Sequence, residues 1–380
     1  MNNILKEAIK MKKVVAEFVY SLNDGGAENL IKNYCKLINR SIFDVIVVVM
    51  YDIGESAVKS SLMDIGIPII YIYPKRNLVY RGINYIFGKE YVMYKMGQII
   101  NDYKITSIHA HTAVLRYLYY SKSHLNKIKL LYTCHSTPNR YFSGRMKQED
   151  AAARYLLRHN ELQMVALHDE MAEEINCWFN INNTIVIRNG LILSEYNRAD
   201  FKKEQIRKKL GINKNAFVIG HVGRFIEEKN HELILKIFGE LKKKKSSSFL
   251  LLVGDGELEN EIKKYLYNIG GQNDFLILSH RNDVPQLLSA MDVFLFPSKV
   301  EGLGIALVEA QVLALPCIIS ENIPREAIIS NNVYVMKNSE PVNRWIRAIE
   351  VSLQRKSECD KSKLLMYNLE HQVRILEKYY

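Results

Sequence analysis

Residues 294–320, FLFPSKVEGLGIALVEAQVLALPCIIS, indicate the fold class of this 380-residue chain. An apolar run at 292–297 is followed by a turn with two glycines, by a helical pattern, and by a second apolar run from Pro316. Continuous apolar runs are typical of parallel strands that are covered by helices on both faces. The stretch therefore predicts a strand–helix–strand unit of an α/β protein.

The same alternation of short apolar runs and helical segments extends along the whole chain. Two series of strands are predicted, the first at 13–20, 43–50, 68–73, 105–111, 129–134, 163–167 and 184–188, the second at 216–223, 248–253, 274–279, 292–297 and 316–320. A polar segment near 190–200 separates the series and predicts a domain boundary. A chain of this length is also expected to form two domains. The sequence ends in LLMYNLEHQVRILEKYY, whose apolar spacing predicts one amphipathic terminal helix.

Composition excludes several classes of protein. Hydrophobic residues make up 48% of the chain, and its five cysteines form no C-x-x-C pair, which disfavours a disulfide framework or a zinc site. Residues 1–13 carry charges throughout and lack the apolar core of a signal peptide. No stretch approaches about 18 uninterrupted apolar residues, the length of a membrane span. We expect a cytoplasmic protein that can lie at the inner face of the cell membrane.

The net charge of +11 is concentrated in residues 75–147, which we call the basic window. This window contains 13 lysines and arginines against Glu90 and Asp102, together with ten tyrosines. Basic residues with interfacial aromatics attract a protein to an anionic bilayer, whereas phosphate contact and base stacking would bind nucleic acid. A merely solvated surface has the same composition. The residues alone leave these three interpretations open.

Two loops of the second series carry residues suited to a diphosphate. GHVGRFIEEKN, residues 220–230, places Gly223, Arg224 and Lys229 just before a helical run, where fixed positive charge can hold a phosphate. In the turn Glu301-Gly302-Leu303-Gly304, the backbone N–H groups of residues 303–305 should begin a helix and favour a negatively charged ligand. A solvated turn would equally explain an isolated Arg/Lys pair.

Glu301 and Glu309 flank this predicted cradle. A carboxylate accepts two hydroxyl hydrogen bonds, so two glutamates could hold a polyol on either side of a diphosphate, as in a nucleotide sugar. The alternative for Glu309 is a helix-start glutamate that the helix dipole stabilises.

The motifs VGRFIEEKN, LVGDGE, RNDVPQLLSAMDVFLFPS and FLFPSKVEGLGIALVEAQVLALPCIIS resemble, in order and spacing, the retaining nucleotide-sugar glycosyltransferases of family four, in particular those of bacterial polysaccharide assembly. The resemblance covers nearly the whole chain and is strongest from Ile219 to Ser320. It implies the GT-B fold, with two facing Rossmann-like domains and a C-terminal helix that crosses back to the first. The expected bounds are 1–195 for the acceptor-binding domain, 196–360 for the donor-binding domain and 361–380 for the helix.

The resemblance also assigns roles to matching residues. Arg224 and Lys229 would bind the donor diphosphate and stabilise the leaving nucleotide, and Glu301 would touch the transferred sugar. Glu309 would bind the ribose, and residues 281–284, starting at Arg281, would frame the base. The backbone of Gly302, Leu303 and Gly304 would lie near the phosphates. Ala314 and Ser279 stand where the family often has glycine, but neither change removes a ligating group.

The first domain contributes a second set of candidates. Gly25 and Gly26 precede Glu28 in a G-G-x-E that could bring backbone close to a phosphate or sugar, although a plain strand-to-helix turn explains it equally well. His109 and His111 share one face of a strand, but no third ligand is recognisable, so no metal site is predicted. The resemblance makes His111 a contact of the donor sugar and leaves His109 as a packed strand residue. His135, at the end of the next strand, is expected to line the acceptor side.

These residues predict a retaining hexosyltransferase that moves a sugar from a nucleoside diphosphate, with UDP favoured, to a hydroxyl of a glycan or lipid-linked acceptor in capsule, exopolysaccharide or other envelope polysaccharide synthesis. No D-x-D motif suited to a metal is evident, so the reaction is expected to need neither metal nor cofactor. Because similar enzymes extend lipid-linked glycans, peripheral contact of the basic window with an anionic membrane is favoured, and nucleic acid is not expected as a partner. A nucleotide-sugar epimerase on the same fold is the alternative; a basic nucleic-acid-binding protein is a more remote one.

Overall fold

The computed structural model describes residues 12–75, 78–197, 200–269, 273–281 and 283–380. The chain divides into two compact units: the first runs to Ile187 and includes Val373–Tyr380, and the second comprises Arg188–Gln372. Each unit is built on a parallel sheet with helices in the connections, which confirms the predicted α/β class. Of the expected C-terminal segment 361–380, Val373–Tyr380 belong to the first unit, in agreement with the resemblance, whereas residues 361–372 belong to the second.

The first unit contains a seven-stranded sheet in the order β3-β2-β1-β4-β5-β6-β7. Its strands are β1 Lys13–Val19, β2 Phe43–Tyr51, β3 Ile69–Tyr73, β4 Ser107–His111, β5 Lys129–Thr133, β6 Gln163–Ala166 and β7 Ile185–Val186. Its helices are α1 Gly26–Leu37, α2 Ala57–Asp64, α3 Leu78–Tyr103, α4 Leu115–Tyr120, α5 Pro138–Phe142, α6 Lys147–His159 and α7 Asp169–Phe179. The central strands β1 and β4 lie side by side, with Glu17 opposite His109.

The second unit contains a six-stranded sheet in the order β10-β9-β8-β11-β12-β13. Its strands are β8 Phe217–Val222, β9 Ser248–Val253, β10 Phe275–Leu278, β11 Val293–Phe296, β12 Cys317–Ser320 and β13 Val333–Met336. Its helices are α8 Lys203–Lys209, α9 His231–Lys244, α10 Glu259–Ile269, α11 Val284–Ser289, α12 Ile305–Val312, α13 Val342–Ser352 and α14 Lys361–Met366. The side chains of β11 are fully buried, as its continuous apolar sequence predicts.

All twelve predicted strands are present, but the sequence analysis missed β13. This four-residue strand lies at the edge of the second sheet and pairs only with β12. Its four residues VYVM lie between the polar segments SNN and KNSE, and their side chains are half-buried or exposed. Edge strands are often short, and the missed strand is of this type.

The prediction of one amphipathic terminal helix was wrong. The segment forms two helices, α14 and then α15 Leu369–Leu376, because the chain pairs with Leu191 between them. The N–H of Leu191 donates to the carbonyl of Tyr367 at 2.7 Å, and the N–H of Leu369 donates to the carbonyl of Leu191 at 3.0 Å. The apolar residues of the segment therefore do not share one buried stripe, since Leu365 is 62% exposed whereas Leu369 is buried.

Within the described residues, no helix has both the length and the apolar content to cross a membrane. Residues 1–13 and the basic window are described only in part: residues 1–11 and 76–77, which include Arg76, lie outside the described residues.

Candidate functional site

In the second unit, the loops after β8 and β9 are held together by backbone contacts that only glycine permits. Gly254 and Gly256 have φ of +145° and +150°, and a Cβ on either would overlap the carbonyl oxygen of Gly223 or Phe225 respectively. The N–H of Gly223 donates to Val253, and the N–H of Phe225 donates to Asp255. The GDG motif therefore fixes the backbone on both sides of Arg224.

Arg224 and Lys229 emerge from this fixed loop in different environments. Arg224 is exposed. Lys229 ends a short 3-10 turn, and its ammonium group forms an ion pair with Glu301, whose side chain is 8% exposed. The same ammonium group lies 5.6 Å from the ring centroid of Phe296 at the end of β11. The structure therefore joins two predicted site residues that lie 72 positions apart in the sequence.

The loop after β11 leads into a helix N-terminus, as predicted. Gly304 caps α12 with φ of +77°, a left-handed conformation that favours glycine. The helix begins at Ile305, and the N–H of Leu307 already donates to the carbonyl of Gly304 at 2.9 Å, so the N–H groups of Ile305 and Ala306 are the first-turn donors that can bind an anion. Gly302 is half-buried and Leu303 is buried. The N–H of Lys299 donates to the carbonyl of Glu228 at 2.7 Å, which ties this loop to the Arg224 loop.

Glu309 is the fifth residue of α12 and lies beyond its first turn, which has no acidic residue. Its carboxylate accepts a hydrogen bond from the hydroxyl of Tyr196. Burial, together with the charge of Glu309, raises the pKa of Tyr196 well above its usual range, so the phenol stays protonated and donates. The sequence analysis missed Tyr196, because it sits in the polar boundary segment and no pattern links it to α12.

The predicted base-framing segment begins at an exposed arginine that is already engaged. Arg281 donates from Nε and Nη2 to the two carboxylate oxygens of Asp283, at 2.7 and 2.5 Å. Asn282, between them, lies outside the described residues. The rest of the segment enters α11 at Val284.

In the first unit, the G-G-x-E motif forms the predicted strand-to-helix turn. Gly25 precedes α1, and Gly26 is its first residue. A Cβ on Gly25 would overlap the carboxylate of Glu28, whereas one on Gly26 would meet no atom within 4 Å. A side chain at position 25 would therefore displace the Glu28 carboxylate, whereas one at position 26 would displace nothing.

The two strand histidines belong to a buried cluster that we call the histidine cluster: Glu17, His109, His111, His135 and Tyr380. His111 Nε2 lies 2.7 Å from Glu17 Oε2, and His111 Nδ1 lies 2.9 Å from His135 Nε2. His109 Nδ1 lies 2.7 Å from the Tyr380 hydroxyl, which in turn donates to Glu17 Oε1 at 3.0 Å. Glu17, His109 and His111 have at most 1% exposure, and His135 is half-buried.

Charge and burial act in opposite directions in this cluster. Burial disfavours the ionised form of Glu17, yet the charges and hydrogen bonds of His109 and His111 lower its pKa to about 2. Burial, with the neighbouring histidine, lowers the pKa of His111 to about 4, and burial lowers that of His135 well below its usual range. Near neutral pH the cluster therefore holds an ionised carboxylate and uncharged rings at His111 and His135.

The expectation that no third ligand accompanies His109 and His111 was wrong. One ligand atom each of Glu17, His109 and His111 lies within 4.8 Å of the others, a spacing a metal ion could bridge. In this structure, however, the ring nitrogens of both histidines have hydrogen-bond partners, since His109 Nε2 also lies 2.7 Å from the Thr133 hydroxyl. The signal in the sequence was an acidic residue inside an apolar strand, which needs a buried partner.

The tyrosines of the basic window are only partly on the surface. Tyr117 and Tyr132 are buried at 2% and 1% exposure, and Tyr91 donates to the carbonyl of Ile72, so these residues serve the core. Tyr94 and Tyr103 are exposed on α3. The exposed apolar residues of this helix include four that the sequence analysis did not single out: Leu78, Val79, Ile86 and Phe87, at 82, 67, 67 and 61%.

Comparison with known proteins shows what this chain is similar to. Residues 202–363 match the model of the glycosyl transferases group 1. EpsF of Bacillus subtilis (strain 168) is 26% identical over 346 residues, which cover 89% of this chain and 87% of EpsF. The UDP-Gal:alpha-D-GlcNAc-diphosphoundecaprenol alpha-1,3-galactosyltransferase of Escherichia coli is 36% identical over 149 residues, 38% of each chain.

Among solved structures, Anabaena Alr3699/HepE in complex with UDP-glucose superposes with a TM-score of 0.71 at 19% identity, covering 97% of this chain and 95% of that one. This likeness confirms the fold over nearly the full length. The match over residues 202–363 and the likeness to EpsF agree with the loops described above: most of the second unit is similar to the group 1 glycosyl transferases, and the chain has the GT-B fold.

Proposed function

We propose that the protein transfers a hexose from UDP to a hydroxyl of a glycan or lipid-linked acceptor in the synthesis of an envelope polysaccharide, such as a capsule or exopolysaccharide, with retention at the anomeric carbon. The observation that carries the proposal is the arrangement in the second unit: Arg224 and Lys229 on a glycine-fixed loop, tied by backbone to the loop that begins α12. The names of the relatives support the substrate classes, since one uses UDP-Gal and a lipid-linked diphosphate and another, CapM of Staphylococcus aureus, serves capsular polysaccharide biosynthesis.

In this proposal Arg224 and Lys229 bind the diphosphate and stabilise the charge that develops on the leaving UDP. Cations that are already in position need not move as charge develops in the transition state. Two such cations can therefore lower the activation barrier, as a metal ion does in other enzymes. Backbone N–H groups at the start of α12 add further donors to the phosphates.

Diphosphate binding also frees Glu301. Without a ligand, the ammonium group of Lys229 satisfies the nearly buried carboxylate of Glu301. When Lys229 turns to the diphosphate, Glu301 needs a new donor, and the hydroxyls of the transferred sugar supply it. The ion pair therefore keeps two buried charges paired until the donor replaces both partners.

The test is product analysis with a panel of UDP-sugars (glucose, galactose and N-acetylglucosamine) and α-GlcNAc-diphosphoundecaprenol as lipid acceptor, with and without EDTA. Mass spectrometry should find the lipid enlarged by one hexose, and the anomeric proton of the product should show the configuration of the donor. Activity that survives EDTA supports the metal-independent reaction. Interconversion of UDP-sugars incubated alone would identify an epimerase instead, and a product of inverted configuration would contradict retention.

We further propose that the amino-terminal half of α3 contacts an anionic membrane. Leu78, Val79, Ile86 and Phe87 expose apolar side chains on the segment up to the kink at Phe87, and the exposed Lys75 and Lys89 flank this segment in the sequence. Apolar side chains that enter the interface and lysines that attract anionic lipid act together, each basic residue contributing about 1 kcal/mol near the surface. A lipid-linked acceptor would be reached at such a surface.

Co-sedimentation with vesicles of phosphatidylcholine, with and without phosphatidylglycerol, tests the membrane contact. We expect binding only to the anionic vesicles, lost in Ile86→Ser/Phe87→Ser and weakened by Lys89→Glu/Lys95→Glu, while Lys236→Glu on α9 serves as the matched control. Unchanged binding by both double variants would refute the contact, and a salt-dependent shift of DNA or RNA at the same residues would favour nucleic acid.

A further inference from the structure

The order of protons in the histidine cluster follows from its partners. The Glu17 carboxylate accepts from the Tyr380 hydroxyl at Oε1 and faces an imidazole nitrogen at Oε2, so it acts as the acceptor and His111 Nε2 carries the proton of the 2.7 Å contact. An uncharged imidazole has one N–H, which makes His111 Nδ1 an acceptor. His135 Nε2, 2.9 Å away, must then be the donor.

The second branch of the cluster is consistent with this order. The Tyr380 hydroxyl donates to Glu17 Oε1 and accepts from His109 Nδ1, so His109 Nε2 accepts from the Thr133 hydroxyl at 2.7 Å. Each polar atom of this branch then has a suitable partner. This branch ends inside the sheet at Thr133, which is fully buried.

The first branch ends differently. It runs from β1 through His111 at the end of β4 to His135, two residues beyond the end of β5, which is half-buried. With its proton on Nε2, His135 has a lone pair on Nδ1, and no partner for that atom is found within the part of the chain that the structure describes. The carboxyl edge of a parallel sheet is where ligands bind.

We propose that Glu17, acting through His111, fixes His135 as an uncharged hydrogen-bond acceptor for a non-reacting hydroxyl group of the acceptor glycan. The proposal rests on the transferase function proposed above and names the chemistry by which one substrate is recognised. His135 would contact the glycan, and Glu17 and Tyr380 would be positioning residues. A fixed lone pair accepts from a hydroxyl and rejects an analogue that lacks it, because the nitrogen would be left without a partner.

The low proton affinity of His135 suits this role. A protonated ring would offer an N–H to the glycan and reverse the selectivity, and burial disfavours that form. It also makes His135 a poor general base, so the proposal concerns binding and leaves the reacting hydroxyl to the donor side.

Nitrogen-15 spectra of histidine-labelled full-length protein test the proton order directly, because protonated and unprotonated ring nitrogens have well-separated shifts. Assignment uses His111→Gln and His135→Gln. We expect the Nε2–H form for both residues, held from pH 7.5 to 5.5. Glu17→Gln, whose amide can both accept and donate, should produce a mixture of forms at both rings, whereas Thr133→Val should leave His135 unchanged.

Kinetics test the consequence for binding. Asparagine can place an oxygen near the position of Nδ1, and glutamine near that of Nε2. His135→Asn should therefore keep KM for the acceptor within about threefold, whereas His135→Gln and Glu17→Gln should raise it about tenfold, the size of one hydrogen bond, with KM for the UDP-sugar unchanged. The assay uses the active UDP-sugar of the panel with α-GlcNAc-diphosphoundecaprenol as the varied acceptor.

Three results would overturn the inference: a proton on His135 Nδ1 in the wild type, equal KM values in His135→Asn and His135→Gln, or stoichiometric metal in the purified protein, which would occupy the ring nitrogens. A wrong transferase proposal gives a different result: the wild-type protein would not bind UDP in calorimetry, while the nitrogen-15 spectra would still report the proton order.

Discussion

Both sheets carry ionisable side chains toward their carboxyl edges, but these side chains are buried within strands in the first unit and lie in loops in the second. In the first unit Glu17 and His111 lie within strands, fully buried, and each has several fixed partners. In the second unit Arg224, Lys229 and Glu301 lie in loops after the strands, where Arg224 is exposed and Lys229 is paired with Glu301. Groups in strands are held in one protonation state and geometry, whereas groups in loops can exchange a protein partner for a ligand.

Removing either loop cation should have the largest effect. We expect Arg224→Ala and Lys229→Ala each to lower kcat by about 100- to 1,000-fold, because each removes a charge that stabilises the leaving diphosphate. The affinity for UDP, measured by calorimetry, should fall as well, while the circular dichroism spectra of both variants stay normal. The control variant Lys236→Ala should keep normal kcat and UDP affinity. Lys229→Ala also leaves Glu301 without its ion-pair partner, so the double variant Lys229→Ala/Glu301→Gln separates lost charge from local strain. Near-normal turnover in both single variants would refute the assigned site.

The rigidity of the loop backbone can be tested at Gly254. Alanine there must adopt φ of +145° and would overlap the carbonyl oxygen of Gly223. We expect a loss of about 3 kcal/mol or more in the free energy of unfolding of the second unit, with weaker UDP binding. The matched control is Gly239→Ala in α9, where a Cβ meets only Ile269 at 3.5 Å and should be neutral or stabilising. Equal stability of the two variants would contradict the interlocked loops.

The sequence predicted the loop edge better than the buried edge, for a physical reason. Gly223, Arg224, Lys229 and Gly304 follow apolar runs at short, local spacing, and parallel strands bring their loops to one edge. The buried cluster instead joins Glu17 to Tyr380 across 363 positions, and nothing local encodes that pairing. Glu17 itself could have been recognised, because an acidic residue within KVVAEFV requires a partner; Tyr196 and Tyr380 could not.

Buried uncharged histidines should make stability fall in acid. The pKa of His111 is about 4 in the folded protein against an ordinary 6.5, so between these values the unfolded chain binds a proton that the folded one does not. Stability is therefore full above pH 6.5 and decreases toward pH 4, by about 2 kcal/mol at pH 5 from this residue. Glu17, with its pKa of about 2, adds a loss in the same direction below pH 4.5. His231, also at about 4, predicts a comparable slope for the second unit.

The two tryptophans allow the units to be followed separately, because Trp178 lies in the first and Trp345 in the second. Urea unfolding of Trp345→Phe therefore reports the first unit through Trp178, and Trp178→Phe reports the second through Trp345. His111→Gln should flatten the pH dependence seen through Trp178 and leave that seen through Trp345 unchanged, and His231→Gln should do the reverse. A slope that neither variant alters would refute the shifted pKa values.

The smallest expected effect concerns Tyr196, which holds Glu309 by a hydrogen bond. If Glu309 binds the ribose, wild-type protein should prefer UDP to 2′-deoxy-UDP, because the missing hydroxyl leaves a carboxylate oxygen without a donor. Tyr196→Phe removes only the restraint on Glu309, so we expect UDP to bind about fivefold more weakly with part of the preference retained. Glu309→Ala should abolish the preference altogether. Glu309 is the fifth residue of α12, and the alternative is that it only interacts with the helix dipole. Both variants would then lower the stability of the helix and leave the ratio of UDP to 2′-deoxy-UDP affinity unchanged. Calorimetry with the two nucleotides decides between the two roles.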